Sequence, residues 1–252
     1  PRHDQVDAQL GVRPPDQAAD RQQVRLQLPH VSQARHCGPA VAERPVGTNV
    51  RTRQSHMIAA MATSTDPRAE QPSTRDRILE HSVQIAAAEG LESLTIGRLA
   101  ADLGMSKSGL FGHFGSKEEL QLATIDAGAE IFGRTVIRPA RDEAAGAARL
   151  ARLTMNFVDY LEQATFEGGC FWGSVSAEFD NRPGPVRDMI QEKLGVWLDV
   201  LREQATAAGV EDPEQLTFEL YSICQGANSS YQLFGDAAVF DRARKTLTRM
   251  LP

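Results

Sequence analysis

The chain is poor in cysteine and lacks any long apolar run. Its three cysteines, Cys37, Cys170 and Cys224, are an odd number, widely spaced, with no CxxC pair. That excludes a disulfide scaffold and a cysteine-rich zinc site, and it fits a reducing cytoplasm. No stretch of about 18 apolar residues occurs, so no membrane span is expected. The first residues lack the charged and apolar blocks of a secretory signal. Basic residues do not prevail, with 27 Lys and Arg against 33 Asp and Glu, a net charge of −6. A uniformly basic nucleic-acid coat is thereby excluded, although a local basic site is not. Catalytic signatures are missing too: there is no GxSxG elbow, P-loop, GxGxxG or HExxH. Past residue 56 only His81 and His113 remain as histidines, neither with a nearby cysteine. Glu178 and Asp180 are the best carboxylate pair, but they end a helix beside a loop, where acids are ordinary surface. Neither catalysis nor a metal or cofactor is expected.

Residues 1–56 contain no Lys, Met, Ile, Phe, Tyr or Trp, yet hold eight Arg, eight Gln, six Pro and four of the six His. Such a segment cannot bury enough apolar surface to offset its ordering entropy and is expected to be disordered. The missing types, Trp aside, use A/T-rich codons, and the abundant ones are what GC-rich DNA yields in an arbitrary frame. The segment therefore reads as a non-native extension, with the natural start at Met57 or Met61. The other reading is a basic tail of net +3 that assists DNA binding. Residues 57–73 are expected to form a flexible arm.

From about Thr74 the apolar residues fall at helical spacing and nothing reads as a strand, so the fold class is all-α. Arg75–Glu89 carries Ile78, Leu79, Ser82, Val83, Ile85 and Ala86, and Gly90 closes it. Thr95 caps a short helix with Ile96, Leu99, Ala100 and Leu103, which Gly104 ends. Ser106 caps another through Phe114, and Ser116 with Glu119 forms a capping box opening a helix through about Val136. Two short helices joined by Gly104-Met105, with small Ala100 at their crossing and Leu110 packing back, make a helix-turn-helix.

The stretch from Leu94 to Leu120 resembles the DNA-binding domain of TetR-type transcriptional repressors. Matching features are Thr95 opening the second helix, the Gly104-x-Ser-Lys107 turn, the Leu110-Phe-x-His-Phe114 block and Ser116-Lys-Glu-Glu-Leu120. The resemblance implies a helix-turn-helix domain at 74–120 and a ligand-binding and dimerisation domain at 121–252. It also implies that Thr95 and Lys117 meet DNA phosphates. The residues themselves fit double-stranded DNA. The Ser106–Phe114 helix carries Ser106, Lys107, Ser108 and His113 and no acid, and its N-terminus offers free N–H groups between phosphates. Lys107, Ser106 and Ser108 suit base edges, and Phe111 suits a thymine methyl. Each has a plainer reading: Thr95 and Ser106 as caps, Lys117 as a solvated charge, His113 as a brace for the turn, Phe114 as core. The family often has Tyr at the first aromatic position and a further aromatic or polar residue in the block; here stand Phe111 and Gly112. The loss of a hydroxyl and a helix weakened by about 1 kcal/mol predict lower non-specific affinity.

Beyond Arg138-Pro139, helices are expected at about 141–163, from Gly168-Gly169, and over 185–208, 213–234 and 239–251. Phe157, Tyr160, Cys170, Trp172, Trp197 and Tyr221 are the expected lining for a small hydrophobic or aromatic effector, since an apolar pocket with a few polar tips suits one. Simple core packing is the other reading. The small, polar run Gly226-Ala-Asn-Ser229-Ser230, with Tyr221 before it and Leu247, Met250 and Leu251 on the last helix, predicts a homodimer face closing as a four-helix bundle. The expected function is a cytoplasmic, dimeric, ligand-responsive repressor released from a palindromic operator. Its recognition helices would lie one DNA turn apart, about 34–36 Å, with effector binding changing that spacing. An all-helical enzyme and a ligand-independent DNA-architectural protein are the alternatives.

Overall fold

The computed structural model describes residues 73–252; the extension expected at 1–56 and, Ser73 apart, the arm expected at 57–73 lie outside the described residues. Nine α-helices and no strand occur among the described residues: α1 Thr74–Glu89, α2 Ile96–Asp102, α3 Lys107–Phe114, α4 Lys117–Phe132, α5 Ala147–Glu162, α6 Phe171–Phe179, α7 Pro185–Ala207, α8 Pro213–Phe234 and α9 Ala238–Met250. The all-α class holds.

Capping sets the starts. Ser73 Oγ accepts from the Asp76 N–H at 3.1 Å, and the Asp76 carboxylate accepts from the Ser73 N–H at 3.0 Å, a reciprocal box at the head of α1. At the box expected on α4 only half forms. Ser116 Oγ accepts from the Glu119 N–H at 3.1 Å, while the Glu119 carboxylate lies over Gly115, 2.6 Å from where a Cβ would stand. Thr95 and Ser106 cap α2 and α3 as expected, and Gly104 makes the turn between them at φ 64°. Leu91, Leu94, Leu99, Leu110 and Leu120 are fully buried and bind α1 to α4 into one head.

The fourth helix does not run unbroken to Val136. Its α-helical part stops at Phe132, and Gly133–Ile137 forms a wider π-turn followed by a 3-10 turn at Arg138–Ala140. Asn156, buried on α5, donates to the Val136 carbonyl at 2.9 Å and so satisfies a group that the altered ladder exposes. Two further starts differ from expectation. The helix placed at 141–163 begins at Ala147, after Gly146 at φ 96°. The one placed from Gly168 begins at Phe171, because Gly168 is a close-approach point: a Cβ there would meet the Ala87 carbonyl oxygen at 2.2 Å.

In packing, α1 lies against α4 and α6, α7 against α4, α5, α6 and α8, and α9 against α5 and α8. Arg244 pins α9 to α5 through Asp159 at 2.7 Å and through Glu162. The Glu162 hydrogen bond leads the causes that push its already high pKa further up. Leu247 requires correction as an interface residue. It is fully buried inside its own chain, because the apolar stripe of α9 faces α5 and α8 rather than a partner.

Candidate nucleic-acid interface and effector core

On the head, Ser106, Lys107, Ser108, Phe111, Gly112 and His113 are all exposed on α3, and Thr95 is exposed at the start of α2. Ser106 Oγ accepts from the Gly109 N–H at 3.0 Å and lies 3.2 Å from Ser108 Oγ, so two hydroxyls cluster at the mouth of α3. Thr95 Oγ1 accepts from the Arg98 N–H at 3.2 Å. The Lys107 stem runs against Gly97 of α2, with Cε 3.4 Å from the position of a Cβ there. Phe114 is buried, and the Arg75 guanidinium sits 5.2 Å above its ring. Helix α3 therefore presents hydroxyls, one ammonium, an imidazole and one exposed phenyl ring, with no carboxylate among them.

Lys117 is placed differently. Its Nζ donates to the Glu92 carbonyl at 2.8 Å and to the Glu92 carboxylate at 2.9 Å, tying α4 to the turn at Leu91–Ser93. The Lys117 ammonium, and next the Gln121 amide, hold the Glu92 carboxyl below its usual range. Arg98 is likewise turned inward, bidentate to Glu89 at 2.5 and 2.6 Å. Glu178 is no ordinary surface acid: its carboxylate accepts from the backbone N–H groups of Leu91 and Glu92.

Among the expected effector residues, Phe157, Tyr160, Trp172 and Trp197 come together around Phe132, which sequence reasoning missed. Phe132 meets Trp197 at 5.1 Å, Tyr160 at 5.3 Å, Phe157 at 5.5 Å and Trp172 at 6.3 Å, each edge to face. Such pairs contribute about 0.5–1.5 kcal/mol each beyond area burial. Tyr221 stacks on Phe157 at 6.3 Å from half-buried ground on α8. Cys170 accepts from the Gln225 amide at 3.4 Å, and its backbone N–H donates to Asn228 Oδ1 at 3.0 Å. Burial raises the Cys170 thiol and the Tyr160 hydroxyl, and pushes Cys224 up to about 12, so both thiols stay protonated near neutrality. The indole N–H groups of Trp172 and Trp197 and the hydroxyls of Ser176 and Thr217 are buried with no hydrogen-bond partner. A signal for Phe132 existed: an aromatic ending an apolar-faced helix directly before glycine.

A groove of about 710 Å³ lies between α1, α3 and α4, but much of its charged rim is already paired. Asp76 is tied to Ser73, Asp126 to Lys193 at 2.7 Å and Glu130 to Arg138 at 2.5 Å. On α8, Phe218, Ser222, Gly226, Ser229 and Leu233 form one exposed stripe, with Phe218 66 % and Leu233 75 % exposed. A Cβ on Gly226 would meet nothing within 4 Å. Ser230 and Met250 are half-buried. No group of His, Cys, Asp or Glu suited to a metal occurs among the described residues, and no described helix is long and apolar enough to cross a membrane.

Two family models match the chain. The model described as bacterial regulatory proteins, tetR family, matches residues 78–124, and the tetracyclin repressor-like C-terminal domain matches 146–247. The HTH-type transcriptional repressor DrrR1 of Streptomyces coeruleorubidus is 49 % identical over 47 residues, 19 % of this chain, so the match spans only 17 % of that relative's length. A TetR regulator from Legionella pneumophila superposes with a TM-score of 0.64 at 17 % identity, covering 71 % of this chain and 98 % of that one. A TetR-family regulator from Streptomyces coelicolor gives 0.62 at 22 % identity, covering 78 % and 93 %. AibR, solved with isovaleryl coenzyme A and operator DNA, gives 0.58 at 22 % identity over 70 % and 97 %. The solved structures share the fold, and the two matched models together take in more than half of the 252 residues. The chain belongs to the TetR family of bacterial transcriptional regulators.

Proposed function

We propose that the protein is a dimeric cytoplasmic repressor that binds a palindromic operator through α3 and is released by a small hydrophobic or aromatic effector. It is a regulator and not an enzyme. The observation that carries the reading is the acid-free, exposed surface of α3, with Ser106, Lys107, Ser108, Phe111 and His113 outward. A carboxylate there would repel the duplex, whereas free N–H groups and one ammonium favour it. Thr95 and Lys117 flank this surface as phosphate contacts, Lys117 keeping its two bonds to Glu92 and turning its third N–H to phosphate.

Phe157, Tyr160, Cys170, Trp172, Trp197 and Tyr221, with Phe132, form the effector site, and the rings part to admit the ligand. Two unpartnered indole N–H groups support an effector that carries hydrogen-bond acceptors, because each buried orphan donor costs about 1–3 kcal/mol until it is met. AibR, solved with isovaleryl coenzyme A and operator DNA, supports the narrower point that this fold takes both a small ligand and an operator. The dimer forms on the α8 stripe around Tyr221, Gly226, Ser229 and Ser230, with Met250 alongside on α9.

The test has two parts. Selection from a random duplex library should return a sequence with two half-sites about one helical turn apart. Thermal-shift screening with planar ketones and quinones should raise the melting temperature, and the best hit should weaken binding to the selected duplex. A library returning no sequence preference, or hits that leave duplex affinity unchanged, would refute the corresponding half.

A further inference from the structure

Helix α6 touches both halves of the molecule. At its start Phe171 and Trp172 pack in the aromatic core, their rings 5.3 Å apart. In its last turn stands Glu178. The Leu91 N–H donates to Glu178 Oε2 at 2.6 Å, and the Glu92 N–H donates to Oε1 at 3.0 Å. Both amides belong to the turn between α1 and α2. Gly90 makes the room: at φ 86°, a Cβ there would stand 2.6–2.9 Å from the carboxylate atoms. Consecutive backbone groups thus cradle one side chain from beyond the head, in the manner of an anion nest.

The turn hands this hold onward. Gln121 Nε2 donates to the Leu91 carbonyl at 3.0 Å and to Glu92 Oε1 at 3.1 Å, and Lys117 Nζ is held by Glu92 through both its carbonyl and its carboxylate. Ser174 on α6 adds a bond to the Ala86 carbonyl at 3.3 Å. One carboxylate therefore stands at the head of a run of bonds through the two amides and the turn to Lys117.

We propose that Glu178 is a latch: its carboxylate fixes the α1–α2 turn, and through it Lys117, in one orientation relative to the effector core. The inference deepens the DNA-and-effector reading above and rests on it. Hydrogen bonds to a carboxylate are roughly twice as strong as neutral ones and are directional, so a movement of α6 by about 1 Å breaks them. An effector entering beside Trp172 displaces α6 and opens the latch, while DNA favours the latched head; the two sites are then coupled through one two-state contact. Glu178 touches neither ligand and acts as a positioning residue.

The test uses the full chain without DNA or effector, so its failure overturns the latch and leaves the functional reading to the duplex titration. Glu178→Ala and Glu178→Gln are compared with the unmodified chain. Amide hydrogen exchange at Leu91 and Glu92 should speed up about 10- to 100-fold in Glu178→Ala and less in Glu178→Gln, which keeps one acceptor oxygen. Spin labels at Ala101→Cys and Glu203→Cys, in a Cys37→Ser background diluted with unlabelled chain, should give a narrow distance distribution. Glu178→Ala should broaden it, with Glu178→Gln between. Unchanged exchange at both amides overturns the proposal. Faster exchange with an unchanged distribution also overturns it, since the carboxylate would then cap the turn without orienting the head.

Discussion

Lys107 and Lys117 are both cations of the head, but different things hold them. Lys107 leans on Gly97 at the mouth of α3, while Lys117 is bound to Glu92 at the start of α4. Phosphate contacts position a protein, and base contacts specify sequence. Lys117→Ala should therefore weaken selected and random duplexes alike and lower the log–log salt slope by about one unit. Lys107→Ala should cost about 1–3 kcal/mol chiefly on the selected duplex. Titrations of both duplexes at several salt concentrations distinguish the two; equal losses from the two variants would make Lys107 a phosphate anchor only. The exposed side chains of α3 were legible in the sequence because a known motif fixes their register. Glu178 was not legible, since its partners are backbone N–H groups more than 80 residues away, and a backbone amide has no letter in the sequence.

Among the elements, the helices were readable from their 3.6-residue stripes, and the breaks within them were not. The π-turn after Phe132 leaves no periodic trace, and its Val136 carbonyl is met by Asn156 from another helix. Where elements touch, Gly168 carries most. A methyl group there would fall 2.2 Å from the Ala87 carbonyl oxygen and 2.3 Å from Ala88 Cα, both backbone atoms. Gly168→Ala should force α1 from the following turn and lower stability by about 1–3 kcal/mol, read from the shift of the urea midpoint. The turn between α1 and α2 has its own pH dependence. Because the Glu92 carboxyl is depressed by Lys117 and Gln121, its contribution is present above the ordinary carboxylate pKa of about 4.3 and is lost as pH falls through its lower folded value. Both side chains are nearly half exposed, so that contribution is at most about 1 kcal/mol. Urea midpoints should differ between the unmodified chain and Glu92→Gln at pH 7, and converge near pH 3. A difference that persists there would assign the effect to packing.

At the scale of the whole molecule, the exposed α8 stripe is the proposed dimer face. Phe218 and Leu233 lie near its ends, with Ser222, Gly226 and Ser229 between, so two copies can approach closely in the middle while the larger apolar groups are covered. Gly226→Arg should bury an unpaired charge at the point of closest approach, costing several kcal/mol of association. Sedimentation should show monomers, binding to the selected duplex should be lost, and helical circular dichroism should be retained. A variant still dimeric would move the interface off α8. The stripe was half legible: Gly226 and the serines stood out as small residues, but Leu247 was misplaced because an apolar residue on a last helix looks the same whether it faces its own core or a partner.

The aromatic cluster has an optical consequence. The chain contains two tryptophans, and both are in the ring contacts around Phe132, while the head has none. Emission excited at the red edge of indole absorption therefore reports on the core alone. It should be blue-shifted in the folded chain, since both indoles are 2 % exposed, and should be blind to duplex binding unless the head moves the core. Any change in that emission on adding DNA is then a direct signal passing from one half of the molecule to the other, obtained without a label.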